Sequence, residues 1–99
     1  TIPENEIIYA QADNIYAEVV TAQGIFLYSN KISLLEKELN EAYFYRSNRS
    51  YIVNFNYIIG YSKKEIEFSN GQKALISSSK FKDFKSKYLN YLKRKSIGE

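Results

Sequence analysis

Apolar and polar residues alternate with a period of two along much of this chain, and the spacing turns helical twice. Ile7–Ala10 is a short apolar run that reads as an edge strand. The stretch "IYAEVVTAQGIFLYS" reads as two strands joined by a loop that ends in Gly24. In "NKISLLEKELNE" the period changes: Ile32, Leu35 and Leu39 fall on one helical face, with Asn30 placed to cap its first turn. "YIVNFNYIIGY" is strand-like but interrupted near Asn56, which divides it into two strands. In "KEIEFSNGQKALIS" Ile66 and Phe68 alternate with Glu65 and Glu67, and Asn70-Gly71 offers the positive φ angles of a tight hairpin. "KFKDFKSKYLNYLKRK" returns to helical spacing, with Phe81, Phe84, Tyr88 and Leu92 as its apolar stripe. Lysine and arginine cover its other face and suit the dipole at its C-terminal end. The expectation is one mainly-β domain spanning residues 1–99, built from small antiparallel sheets with two short helices. No internal repeat, low-complexity stretch or Pro/Gly-rich linker divides it.

Ten tyrosines, six phenylalanines and no tryptophan strengthen the β reading, because aromatic rings suit a half-buried pleated surface. The net charge of +3 conceals an asymmetry. Residues 1–42 hold two basic and seven acidic side chains, net −5, whereas residues 43–99 hold twelve basic and four acidic, net +8. A one-sided basic surface suits an anionic partner, although a solvated lysine face would look the same in composition. No apolar run approaches the roughly 20 residues of a membrane helix. With no cysteine there is no disulfide framework, so nothing calls for an oxidising compartment, and the expected location is cytoplasmic. The lack of any methionine suggests a piece of a longer protein.

Histidine and cysteine are both absent, which removes the commonest general base, the thiolate nucleophile and most transition-metal ligand sets. The carboxylates look structural: Glu65 and Glu67 lie on the wet side of a hairpin, and Glu36, Glu38 and Glu41 on the exposed face of a helix. The chain is expected to be no enzyme and to need no cofactor or metal. Ser77-Ser78-Ser79-Lys80 fits S-x-x-K, but the partner motifs of that enzyme class are missing. Serines at a strand end leading into a helix, accepting backbone N–H groups, account for it. Asn48-Arg49-Ser50 fits a glycosylation acceptor and, without secretory context, says only that this loop is exposed.

One stretch concentrates hydrogen-bonding groups in front of a strand: "YRSNRSYIVNFN", residues 45–56. Arginine carries a planar fork of donors that matches phosphate oxygens or the O6/N7 edge of guanine. Asparagine and serine bond phosphates or adenine edges with short side chains. Arg46, Asn48, Arg49 and Ser50 therefore suit a short reading loop held by a strand scaffold. A turn whose Asn and Ser cap their own backbone, with solvated arginines, fits the same composition.

The order of residues favours the first reading, since "FYRSNRSYIVN" resembles the signature of the LytTR DNA-binding family. "ADNIYAEVVTAQG" is similar to that family's opening hairpin, and "SLLEKELNEAYFYR" to its short helix running into the signature. "NYIIGYSKKEIEFSNGQKALISSSKFKDFKSKYL" resembles its closing hairpin, Ser-rich junction and last helix, so that the likeness spans about residues 7–92. The resemblance implies an elongated set of small antiparallel sheets that reads double-stranded DNA with loops placed in successive major grooves. It also implies the output end of a bacterial response regulator of a two-component system, behind a receiver domain. Promoter sites arranged as imperfect direct repeats are the implied targets, with a homodimer on DNA as a further possibility.

Carried over position by position, base contacts would come from Asn14, Arg49 and Lys80. On the DNA-binding reading Ser50, Ser78, Ser79, Arg46, Asn48, Lys82 and Lys31 would hold phosphates, while Arg94, beyond the stretch that resembles the family, would add only diffuse charge. The family commonly has histidine where this chain has Asn48, and Lys80 lacks the bidentate fork that an arginine would bring. Both departures point to a base preference of this chain's own. The competing classes are a β-rich protein-interaction module with a merely solubilising basic face, and a single-strand or RNA binder whose exposed tyrosines stack bases.

Overall fold

The computed structural model describes residues 2–97. After a short 3-10 turn at Glu4–Glu6 come β1 (Ile7–Asp13), β2 (Tyr16–Thr21) and β3 (Gly24–Tyr28), then helix α1 (Ile32–Glu38). The chain continues as β4 (Phe44–Asn48), β5 (Tyr51–Asn54), β6 (Ile58–Tyr61), β7 (Glu65–Phe68) and β8 (Lys73–Leu75), and ends in α2 (Phe81–Ser96). A five-stranded antiparallel sheet has the order β3-β2-β1-β5-β4, and a three-stranded one the order β6-β7-β8. This is the mainly-β architecture of small antiparallel sheets expected, here two of them, only mildly elongated at 35 × 30 × 26 Å.

The first strand departs from expectation: β1 is the centre of the larger sheet, not its edge. Its residues serve two cores, Ile8 and Tyr9 in one and Ile7 and Ala10 in the other, and burial on both faces is what a central strand requires. The first core lies where the larger sheet meets the smaller sheet and α2, joining Val53 and Phe55 to Ile66, Phe68, Phe84 and Tyr91. The second gathers Val19, Phe44 and Ile52 with Ile32 and Leu35 of α1.

Four local readings also change. Helix α1 starts at Ile32 with Lys31 as its N-cap residue, and no side chain caps it, so Asn30 lies one residue too early. In the β7–β8 turn only Gly71 has a positive φ, +88°; Asn70 instead accepts the Gln72 amide on its Oδ1 at 3.0 Å. Gly71 N–H also bonds Phe68 O and Phe68 N–H bonds Gln72 O, which makes a wider loop than a two-residue hairpin.

On α2, Leu92 is 41% exposed and Tyr91 takes the buried place. The Tyr91 hydroxyl donates to Asn56 Oδ1, so the ring can be buried without orphaning its polar tip. One turn on, Arg94 donates from Nη2 to the carbonyl of Ala42 at 2.5 Å. It ties the end of α2 to the chain just before β4 and is part of the fold, where diffuse charge was expected.

Candidate nucleic-acid interface

Strand register brings the three expected base-reading positions to one end of the larger sheet. β1 and β5 run antiparallel with Gln11 opposite Tyr51, and the Ala12 amide donates to Ser50 O at 2.8 Å. The β1–β2 turn, with Asn14, therefore lies beside the β4–β5 turn, with Arg49. Ser47 then links β4 to the chain leading into α2: its carbonyl accepts from the Ser77 amide and its hydroxyl donates to Leu75 O, both at 2.8 Å. Ser47 is fully buried, so this double bond fixes the serine junction and Lys80 next to the Arg49 turn. Asn48 reinforces the link, donating from Nδ2 to Ser77 Oγ at 3.2 Å.

Asn14 occupies the left-handed region at φ 59°, a conformation that asparagine tolerates better than most residues, and it is exposed. Arg49 is exposed at the tip of its turn, and its guanidinium has no hydrogen-bond or ion-pair partner among the described residues. Lys80 is exposed too, with Nζ 5.9 Å from the centre of the Tyr45 ring. The Tyr45 hydroxyl donates to Asp83 Oδ2 at 2.8 Å. Burial first, and then that carboxylate, hold its pKa well above the usual phenol range, so at neutral pH it remains a donor anchoring the start of α2.

The expected phosphate contacts divide into two groups. Ser78, Ser79, Lys82 and Lys31 are exposed, and Lys31 belongs to this end because β3 finishes with Tyr28 opposite Ala17, at the start of β2. Ser50 is half-buried, its amide donating to Asn48 Oδ1 at 2.9 Å. Arg46 and Asn48 have partners within the protein. The Arg46 guanidinium bonds Asn48 O, Arg49 O and Glu36 Oε1, while the Asn48 amide group spans Ser50 and Ser77. The serine side chains of the junction do not cap α2: Lys80 is its N-cap residue and makes no side-chain cap hydrogen bond, while the Phe81 amide bonds Ser78 O.

Two further cations join this end. Ile76 N–H bonds Lys64 O, so the β6–β7 turn with Lys63 and Lys64, both exposed, borders the serine junction. The sequence signal was the pair of consecutive lysines in a hairpin turn, but nothing local told which end of the molecule that turn would face. Among the described residues no group of three or more His, Cys, Asp or Glu side chains could hold a metal ion. Nor is any described helix long and apolar enough to cross a membrane.

The family model of the LytTr DNA-binding domain matches residues 1–89. The chain belongs to the LytTR family. This LytTR domain is also similar in fold to a solved structure, the LytTr DNA-binding domain of a protein from Bacillus cereus assigned as a methyl-accepting/DNA response regulator. The TM-score is 0.76 at 22% identity, over 89% of this chain and 84% of that one. No curated protein matches the chain. Tyr91 and Arg94, which lock the end of α2, lie beyond the part of this LytTR domain that the family model matches.

Proposed function

We propose that this LytTR domain is the sequence-specific, double-stranded-DNA-binding output module of a bacterial transcription regulator. The observation that carries the proposal is the convergence of Asn14, Arg49 and Lys80 on one end of the sheet, with Arg49 exposed and unpartnered among the described residues. Turns held on a rigid sheet can enter a major groove, and an unpaired guanidinium there is free to bond two atoms of one guanine. Lys31, Ser50, Ser78, Ser79 and Lys82, with Lys63 and Lys64, would set the register on the phosphates. The setting that completes this reading is a cytoplasmic two-component regulator, its receiver domain upstream, acting at promoter direct repeats as a monomer or a homodimer.

A competition titration tests it: labelled domain on a promoter duplex is challenged with duplex, single strands and non-specific polymer. Duplex should compete best; equal competition by single strands would contradict the proposal. Affinity should also be steeply salt-dependent, with log K falling against log salt at a slope near −4.5 if about five phosphates are neutralised. A slope shallower than about −1 would mean that the basic end is not the binding surface.

A protein-interaction role has one observation in its favour. β3 is an edge strand whose Ile25, Phe26 and Leu27 are all exposed, Ile25 by 61%, an apolar edge of the kind that accepts another strand. It is distinct from the reading turns and compatible with DNA binding.

A further inference from the structure

We infer that Arg46 is a positioning residue that holds the Arg49 turn in shape, and that it takes no phosphate. This rests on the DNA-binding role proposed above. Asn48 pairs with Tyr51, leaving Arg49-Ser50 as a two-residue turn. The preferred two-residue hairpin turns place one or both central residues at positive φ, where the backbone twist matches the strands. Here neither does, because Asn14 is the one non-glycine residue with positive φ among those described. A turn without that geometry needs other support, and Arg46 provides it.

Its Nε donates to Asn48 O at 3.0 Å and its Nη2 to Arg49 O at 2.5 Å, so one guanidinium holds the two consecutive carbonyls that flank the Arg49 Cα. Its Nη1 meets Glu36 Oε1 of α1 at 2.7 Å, which ties the turn to the helix. The register shifts between Tyr45 and Asn48, where β4 carries one residue more than β5, so Arg46 sits at a bulge within its strand. The Arg46 side chain is only 19% exposed. Turning it to a phosphate would unpair two carbonyls and a carboxylate, and Glu36 would face the same phosphate with like charge.

Bidentate base contacts demand tight placement of the reading side chain. The fork of Arg46 fixes the backbone on both sides of the Cα from which the Arg49 side chain projects, and lysine, a point charge on a flexible stem, cannot reproduce it. The pair therefore acts on specificity through Arg49, whereas a phosphate ligand would act on affinity for any duplex.

The test compares Arg46→Lys, Arg46→Ala and Glu36→Gln with the unaltered protein, using a duplex selected from a random library and a scrambled one. Each pair of affinities is measured across a salt series. Arg46→Lys should lower the ratio of selected to scrambled affinity by at least about fivefold, with scrambled binding and the salt slope unchanged. Glu36→Gln should lower the ratio in the same sense. The inference is overturned if Arg46→Lys behaves as the unaltered protein does, or if Glu36→Gln strengthens both duplexes. It is also overturned if Arg46→Ala weakens both equally and cuts the slope by about 0.9, as loss of one phosphate contact would. Hydrogen exchange in the free protein gives a second readout, independent of DNA. The Ser50 amide should exchange faster in Arg46→Lys at unchanged melting temperature, and unchanged exchange there would refute the brace. If the unaltered protein shows no duplex specificity, the DNA-reading role fails, and the exchange result still decides whether Arg46 shapes the turn.

Discussion

Replacing Phe84 by alanine is expected to cost the domain roughly 3–5 kcal/mol of stability, the range for truncating a fully buried aromatic ring. Phe84 is 0% exposed and is surrounded by aromatic rings: Tyr61 at 5.2 Å, Tyr88 at 5.7 Å, Tyr45 at 5.8 Å and Phe55 at 6.2 Å between centroids. Those neighbours come from β6, α2, β4 and the turn after β5, so the ring joins the smaller sheet, the last helix and the larger sheet. Rigid aromatic neighbours cannot collapse far into the space a phenyl leaves, which favours the upper part of the range. For a domain of this size, a melting temperature lower by more than about 12 °C should result. Leu92→Ala, on the exposed face of the same helix, should stay within about 0.5 kcal/mol of the unaltered protein. A normal melting temperature for Phe84→Ala would show that α2 is peripheral and not a buttress for the Lys80 junction.

Much of the architecture is written in local patterns. The alternation of Ile66 and Phe68 with Glu65 and Glu67 survives in β7 as a strict buried–exposed repeat. The interruption near Asn56 is real, because the Asn54 side chain accepts the Asn56 amide and bends the chain between β5 and β6. Pairing between distant strands is not local, and there the pattern misleads. Ile7–Ala10 looks like any short apolar run, and only its register with both β2 and β5 makes it central. The choice between Tyr91 and Leu92 was equally hidden: by hydrophobicity leucine is the better core residue, but Asn56 waits across the groove for the tyrosine hydroxyl.

The site shows the same limit at the level of single side chains. Arg46, Arg49 and Arg94 are chemically identical, yet one clamps a turn, one is unpartnered and exposed, and one bonds a carbonyl at the far end of β4. Family order pointed to Arg49, and the geometry then separated it from Arg46 three residues earlier. What the sequence withheld is which donors are already spent inside the fold. A control for general charge must therefore avoid Arg94, which is engaged within the fold; Lys93, exposed at the same end of α2, serves.

The second large effect belongs to Arg49. Arg49→Ala should cost about 1–3 kcal/mol on the duplex the domain selects, the worth of one good bidentate base contact, and much less on scrambled duplex. The side chain is exposed and unpartnered, so the melting temperature should not move. Lys93→Ala should weaken both duplexes slightly and by the same factor, because a distant charge contributes only to the general field. Measuring selected and scrambled duplexes side by side at one fixed salt concentration, for the unaltered protein and Arg49→Ala, tests the base-reading role most directly. The expected result is a loss confined to the selected duplex; equal losses on the two would make Arg49 a phosphate clamp and contradict base reading by the turn.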